Sequence, residues 1–370
     1  QKCVQRFNTR KMTSKVGAAP SGFQMTPLKG IKVVELAGLA PVPHCGMMLA
    51  DFGADVTLLD KASGGDLAVR RLDRGKRVME VDLKTAEGKS TVRQMCASAD
   101  VLLDPYRPGV LEKLGLDPVD LLQANPGLIV CRLTGFGQSG PLANEAGHDI
   151  NYVAISGLLP MITAPGRPPW PPVNLLADFG GGGLTAAFGV LLALQNRTIN
   201  GGHGCILDVS MTEGLAYLGT FITMYKDIDV LFGGPHASFS SNSPVYRCYA
   251  TSDGRFMSVG ALEAKFTDNL LKTLGLDHFT VADVYERPSE VAAEIERVFR
   301  TKTRDEWTRI FEGKDACVAP VVEMEEAGEF AHNKKRGTFE LDDEGRWVPR
   351  RHPRMYTLDE YKRLGLKSKM

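Results

Sequence analysis

The sequence predicts an α/β protein with a Rossmann-like large domain on a parallel sheet and a smaller α+β domain after it. Three observations carry this expectation. Short β-branched runs alternate with helix-length segments over the first part of the chain, which is the signature of βαβ units. After about residue 228 the pattern changes, and Thr251-Ser252-Asp253-Gly254 between two apolar runs signals a hairpin, because Asp-Gly accepts the positive φ of a tight turn. The chain has 370 residues, 43% hydrophobic and 24% charged, enough for one large core or two moderate ones.

Taken in order, strands are expected at 31–36, 56–60, 101–104, 128–133 and 206–209, with helices at 44–51, about 85–99 and 118–124 between the first four. A glycine-rich turn at 134–140 then leads through AGHDINY (146–152) into an apolar helix at 150–159. A Pro-rich loop at 167–172 precedes Asn174-Leu175-Leu176-Ala177-Asp178-Phe179 and the run Gly180 to Gly183. Four glycines form no ordinary helix interior, since each costs about 1 kcal/mol there. They suit close approach of a ligand or a second chain. Apolar helices follow to about 195 and at about 212–225, then hairpin strands at 245–249 and 255–259 and helices at 264–274, 288–300 and 303–312. The expected division is a leader at 1–27, a large domain at 28–200 with the return of 332–370, a linker helix region at 201–227 and a small domain at 228–331.

Composition narrows the function classes. Lysine plus arginine and aspartate plus glutamate both number 44, so no global field draws the chain to nucleic acid or an anionic membrane. The longest apolar runs, such as 190–194, are too short to span a bilayer, and a soluble protein is expected. Seven scattered cysteines without CxxC argue against a disulfide framework and a cysteine-type zinc site, and are expected as buried free thiols. No GxGxxG follows the first strand, and GxxxxGK[ST], GxSxG and HExxH are absent. The segment 1–15 is basic and free of acids, as in a mitochondrial leader, and Ser368-Lys369-Met370 approaches a peroxisomal tail. The first residue is Gln1, as in an incomplete or processed product.

Several residues point to chemistry. His148 can both give and take a proton near neutrality, and the backbone N–H groups beside it at a helix start can meet a developing negative charge. Asp178, set among backbone and apolar carbon, is either a helix N-cap or a carboxylate raised by desolvation into a usable acid or base. Glu263, at a predicted strand end, gains meaning only with a partner. Lys61, Lys84, Arg107 and Lys113 share the rim where ligands of parallel sheets bind, and suit a phosphate-bearing ligand.

These segments resemble the family III coenzyme A transferases, on the branch that racemises acyl-CoA thioesters. The matching pieces are LKGIKVVELAGLAP (28–41), MLADFGADV (48–56), VDLK (81–84), YRPGV (106–110), LTGFGQSGP (133–141), AGHDINY (146–152), NLLADFGGGG (174–183) and DACVAPV (315–321). The resemblance implies two chains threaded through each other as an interlocked homodimer, with each active site between the large domain of one and the small domain of the other. It implies racemisation of 2-methyl-branched acyl-CoA at C2 through an enolate. His148 and Asp178 match the two acid/bases, Glu263 the partner of the histidine, and the N–H of Asp149 the oxyanion donor. Lys61, Val81, Asp82, Leu83, Lys84, Tyr106, Arg107, Lys113 and the backbone of Gly147, His148, Asp149, Ile150, Asn151 and Tyr152 match positions holding coenzyme A. No metal and no cofactor beyond the substrate's own coenzyme A is implied. Two rivals share the resemblance: a transferase with Asp178 as nucleophile, and an acyl-CoA-binding paralogue without turnover. The chain departs from the branch at 238–244 and at Gly260-Ala261-Leu262-Glu263-Ala264-Lys265-Phe266, where a lysine is added two residues after the glutamate, and it ends early relative to the animal enzymes.

Overall fold

The computed structural model describes residues 25–61, 69–163, 166–240 and 242–363. The basic leader and the Ser368-Lys369-Met370 tail lie outside the described residues. Thr26–Pro320 form one compact unit and the residues from Val321 onward form another.

The first unit is built on a six-stranded, all-parallel sheet in the order β3-β2-β1-β4-β5-β6. The strands are β1 Lys32–Leu36, β2 Asp55–Asp60, β3 Arg77–Glu80, β4 Val101–Asp104, β5 Ile129–Thr134 and β6 Cys205–Ser210. The chain reverses its direction of travel across the sheet between β1 and β4, the point where open α/β sheets bind ligands at their carboxyl edge. Sequence reading missed β3. Its residues Arg77-Val78-Met79-Glu80 form an exposed edge strand, so no apolar run announces it.

Both faces of the sheet are covered, which is why β1, β4 and β5 read as continuous apolar runs. On one face Val33, Val101, Leu103, Ile129 and Cys131 pack with helices α1 (Pro41–Asp51), α6 (Thr185–Arg197) and α7 (Met211–Leu218). On the other, Val34, Leu36, Leu102, Leu128 and Val130 pack with α2 (Ala86–Cys96), α3 (Val110–Lys113) and α4 (Pro118–Ala124). Local caps set the helix starts: Thr85 Oγ1 accepts from Gly88 N at 2.9 Å before α2, and Asp117 Oδ1 from Val119 N at 2.8 Å before α4. Glu35, in the core of the first face, is neutralised by Lys76 at 2.8 Å, with both side chains wholly buried.

Between β5 and β6 run α5 (Asp149–Ile155), a π-helix at Leu175–Leu184 and α6. One expectation is corrected here. The helix after AGHDINY ends at Ile155, not near 159. The glycine run forms no ordinary α-helix: it winds as the π-helix and continues directly into α6. The glycines serve internal packing. A Cβ on Gly181 would stand 2.7 Å from Met211 O, one on Gly214 of α7 only 2.0 Å from Gly181 O, and one on Gly183 2.6 Å from His44 Nδ1. The continuous stretch Leu175–Arg197 is therefore 23 residues long and, by length and composition, apolar enough to cross a membrane. Part of it is core: Ala177, Ala186, Ala187, Val190 and Ala193 are buried in this unit.

The helix expected at 212–225 is broken at Gly219 into α7 and α8 (Thr220–Tyr225), where Leu158 packs so closely that a Cβ would meet its Cδ2 at 2.5 Å. After α9 (Asp229–Phe232), an antiparallel sheet of β7 (Tyr246–Ala250), β8 (Phe256–Gly260) and β9 (Val318–Pro320) packs with α10 (Ala264–Leu274), α11 (Asp283–Glu286), α12 (Pro288–Phe299) and α13 (Arg304–Phe311) around Tyr249, Met257, Leu270, Phe299 and Trp307. Gly254, at φ 73°, closes the hairpin. Of the cysteines, Cys45, Cys96 and Cys131 are buried, but Cys248 and Cys317 are exposed, contrary to the expectation of buried thiols.

The second unit holds α14 (Ala331–Arg336), a hairpin of β10 (Phe339–Leu341) with β11 (Trp347–Pro349), and α15 (Leu358–Arg363). The Trp347 ring lies so close to Gly328 that no side chain would fit there.

Candidate active site

Loops leaving the carboxyl ends of β2, β3, β4 and β5 carry Lys61, Val81 to Lys84, Tyr106 and Arg107, and AGHDINY respectively. Lys61, Lys84, Arg107 and Lys113 are all exposed. Their loops are held by local bonds. Lys61 N donates to Asp60 Oδ1 and Lys84 N to Asp82 Oδ1, each at 2.8 Å. Val81 is buried, Leu83 half-buried against the core, and Asp82 exposed. Tyr106 N donates to Asp104 Oδ1 at 2.8 Å, while Arg132 joins Asp104 at 3.0 Å and Glu112 at 2.7 Å, tying β4, β5 and α3 together under the Tyr106–Arg107 turn. Burial raises the Asp104 carboxyl to about 6, and burial together with Asp104 and Asp60 raises the Tyr106 phenol.

AGHDINY is locked by Tyr152. Its hydroxyl donates to Gly147 O at 2.5 Å, and its ring meets Phe136 edge-on with centroids 5.0 Å apart. A Cβ on Gly135 would fall 2.1 Å from Tyr152 Cε1, and one on Gly147 2.7 Å from the same atom, so both positions require glycine. His148 stands just before α5 with an exposed side chain, and its N–H donates to Asn151 Oδ1 at 3.0 Å. The first N–H groups of α5, those of Asp149 and Ile150, have no acceptor within the helix. Ile150 is exposed.

The carboxylate of Asp149, 1% exposed, reaches the π-helix: Oδ2 accepts from Ala177 N at 2.7 Å and Asp178 N at 3.0 Å. Asp178 is 8% exposed, and its Oδ2 accepts from Asn174 Nδ2 at 3.2 Å. Burial pushes the Asp178 carboxyl up to about 6, the Asp149 charge pushes the same way, and His148 pulls it down. The Tyr152 phenol is raised by burial and by Asp178 and lowered by Arg107. Arg107 Nη1 donates to Asn144 O at 3.2 Å. The structure thus gathers His148, Asp149, Tyr152, Asp178 and Arg107 into one neighbourhood. Sequence reading missed two members: Asn174, four residues before Asp178 and legible as one helical turn away, and the side chain of Asp149, for which no local signal exists.

Glu263 is elsewhere. It precedes α10 with an exposed side chain, and among the described residues no hydrogen bond or ion pair joins it to His148. Its neighbours are Cys317, whose thiol is raised by burial and by Glu263, and the Lys265–Asp315 pair at 2.5 Å. Among the described residues no group of three or more metal-ligating side chains assembles.

The model of the CoA-transferase family III matches residues 28–358. A CaiB/baiF CoA-transferase family protein of Caenorhabditis elegans is 50% identical over 92% of this chain and 98% of its own length. The alpha-methylacyl-CoA racemase of Mus musculus is 48% identical over 88% of this chain and 86% of its own. In structure, a CAIB/BAIF family protein from Brucella suis superposes with a TM-score of 0.73 at 25% identity, covering 93% of this chain and 100% of that one. With a match that spans nearly the whole chain, a shared fold and relatives at about half identity, the protein belongs to the CoA-transferase family III.

Proposed function

We propose that the protein racemises 2-methyl-branched acyl-CoA thioesters at C2 by moving the α-proton between His148 and Asp178. The observation that carries this reading is Asp178 itself: a buried carboxylate held up at about 6 by its surroundings and electrostatically coupled to an exposed histidine. Racemisation needs one group to take a proton from one face of the carbon and another to return one to the opposite face, each with an affinity near neutrality. The 48% identical mouse racemase supports the same reading.

In this reading the Asp149 N–H stabilises the thioester enolate, and Lys61, Lys84, Arg107 and Lys113, with Tyr106 and the 81–84 turn, receive the phosphates and nucleotide of coenzyme A. Glu263 orients His148 from a second copy of the chain. Support for a second copy is an exposed apolar face, where Leu184 at the end of the π-helix and Phe188, Leu191 and Leu192 of α6 fall at helical spacing, joined by the exposed Tyr217, Leu218 and Phe221.

The test is exchange in D₂O with a (2R)- or (2S)-methyl-branched acyl-CoA. Deuterium appears at C2, and the rate in the direction where Asp178 removes the proton falls below about pH 6, because its raised carboxyl is then protonated and cannot accept. Absence of C2 exchange sinks the proposal. Transfer of coenzyme A to a free acid without exchange would instead make Asp178 a nucleophile.

A further inference from the structure

The turn leading into the π-helix is strained. Val173 has φ 47° and Asn174 φ 60°, two consecutive non-glycine residues in the left-handed region. That region is a genuine outlier for a β-branched side chain, and such strain persists only where the surroundings over-determine the backbone. Val173 is 83% exposed, so its own burial does not offset the strain.

The determinants lie on both sides. Upstream, Pro171 and Pro172 have their φ angles set by their rings, and Leu175 N closes the turn on Pro172 O at 2.9 Å. Downstream, the Asp149 carboxylate holds Ala177 N and Asp178 N. Between these anchors the left-handed Asn174 directs its amide at the Asp178 carboxylate, with Nδ2 to Oδ2 at 3.2 Å.

We infer that Asn174 is a positioning residue for Asp178, aimed by the strained Val173–Asn174 turn, and that it reserves Oδ1 of Asp178 as the oxygen that takes and returns the substrate proton. The inference rests on reading Asp178 as a proton carrier. Two holds divide the work. Asp149 fixes the Asp178 backbone, and Asn174 fixes the rotation of its side chain. A neutral N–H donor favours the ionised carboxylate, opposing the burial and the Asp149 charge that favour the protonated one. Asn174 thereby keeps the group able to exist in both states.

Asn174→Gly separates this role from a purely structural one, because glycine keeps the left-handed backbone and removes only the amide. The expected result is an unchanged KM for the acyl-CoA, a kcat about ten-fold lower where Asp178 removes the proton, and an acid limb moved up by about one pH unit. Asn174→Asp, also at ease in this backbone region, sets an acceptor against an acceptor and moves the limb further up. A second readout needs no turnover: ¹³C-carboxyl NMR of labelled aspartate follows the Asp178 titration directly, and Asn174→Gly raises its midpoint even if the wild type exchanges no C2 proton. A wild type that exchanges no C2 proton defeats the proposed function and with it the substrate-proton role of Oδ1, while a raised midpoint in Asn174→Gly leaves Asn174 standing as the residue that positions the Asp178 carboxyl. An Asp178 titration and a kcat both unmoved in folded Asn174→Gly, or a change confined to melting temperature and KM, overturn it.

Discussion

The edge of the parallel sheet around Asp178 and the start of α10 around Glu263 are built on opposite principles. At the first, carboxylates are buried and held by N–H groups: Asp149 at 1% exposure grips the π-helix backbone, and Asp178, bonded by the Asn174 amide, sits well above the usual carboxylate range. At the second, Glu263 is exposed and the neighbouring Lys265–Asp315 pair is more than half exposed on each side. Burial makes each charge depend on named partners and tunes its proton affinity. Exposure leaves water to do the solvating, and the group acquires a tuned role only when another surface covers it.

The contrast can be broken by substitution. Asp178→Asn keeps shape and removes the proton carrier, so racemisation falls by roughly 10²–10⁴-fold. Binding of a CoA ester stays unchanged by calorimetry, and near-normal turnover would empty the first region of its chemistry. Gly214→Ala sets a methyl 2.0 Å from Gly181 O and lowers stability by roughly 1–3 kcal/mol in urea unfolding. A neutral outcome there would mean that α7 and the π-helix are not as tightly crossed as their backbones indicate. The smallest effect is expected at the second region. Lys265→Ala, losing one solvent-screened pair, melts at the wild-type temperature by calorimetry. A clear loss of stability would show that the α10 start is a buried network after all.

Legibility from sequence follows the same division. The inner strands β1, β2, β4 and β5 announce themselves because burial on both faces demands unbroken apolar runs, and edge strand β3 stays silent because it is mostly exposed. The glycine run at 180–183 reads on local propensity as no ordinary helix interior, and close packing against Met211, Leu215 and His44 makes the small residues the condition for the π-helix found there. At the site, His148 and Asp178 are visible as residue types at a strand end and a helix start. The Asp149 carboxylate is invisible, since its partners Ala177 and Asp178 lie 28 and 29 residues away and are brought to it only by folding. That no hydrogen bond or ion pair joins His148 to Glu263 among the described residues is equally beyond residue patterns.

The π-helix that runs without a break into α6 has an evolutionary reading. Asp178 sits near the head of a 23-residue rod whose far part is wedged in the core and whose Gly181 and Gly183 leave no room for a Cβ. Drift cannot retune the acid by shifting its helix, because any such shift moves the whole rod. Change that leaves the core intact is therefore channelled into the loops that meet the rod, with Pro171 to Asn174 first among them.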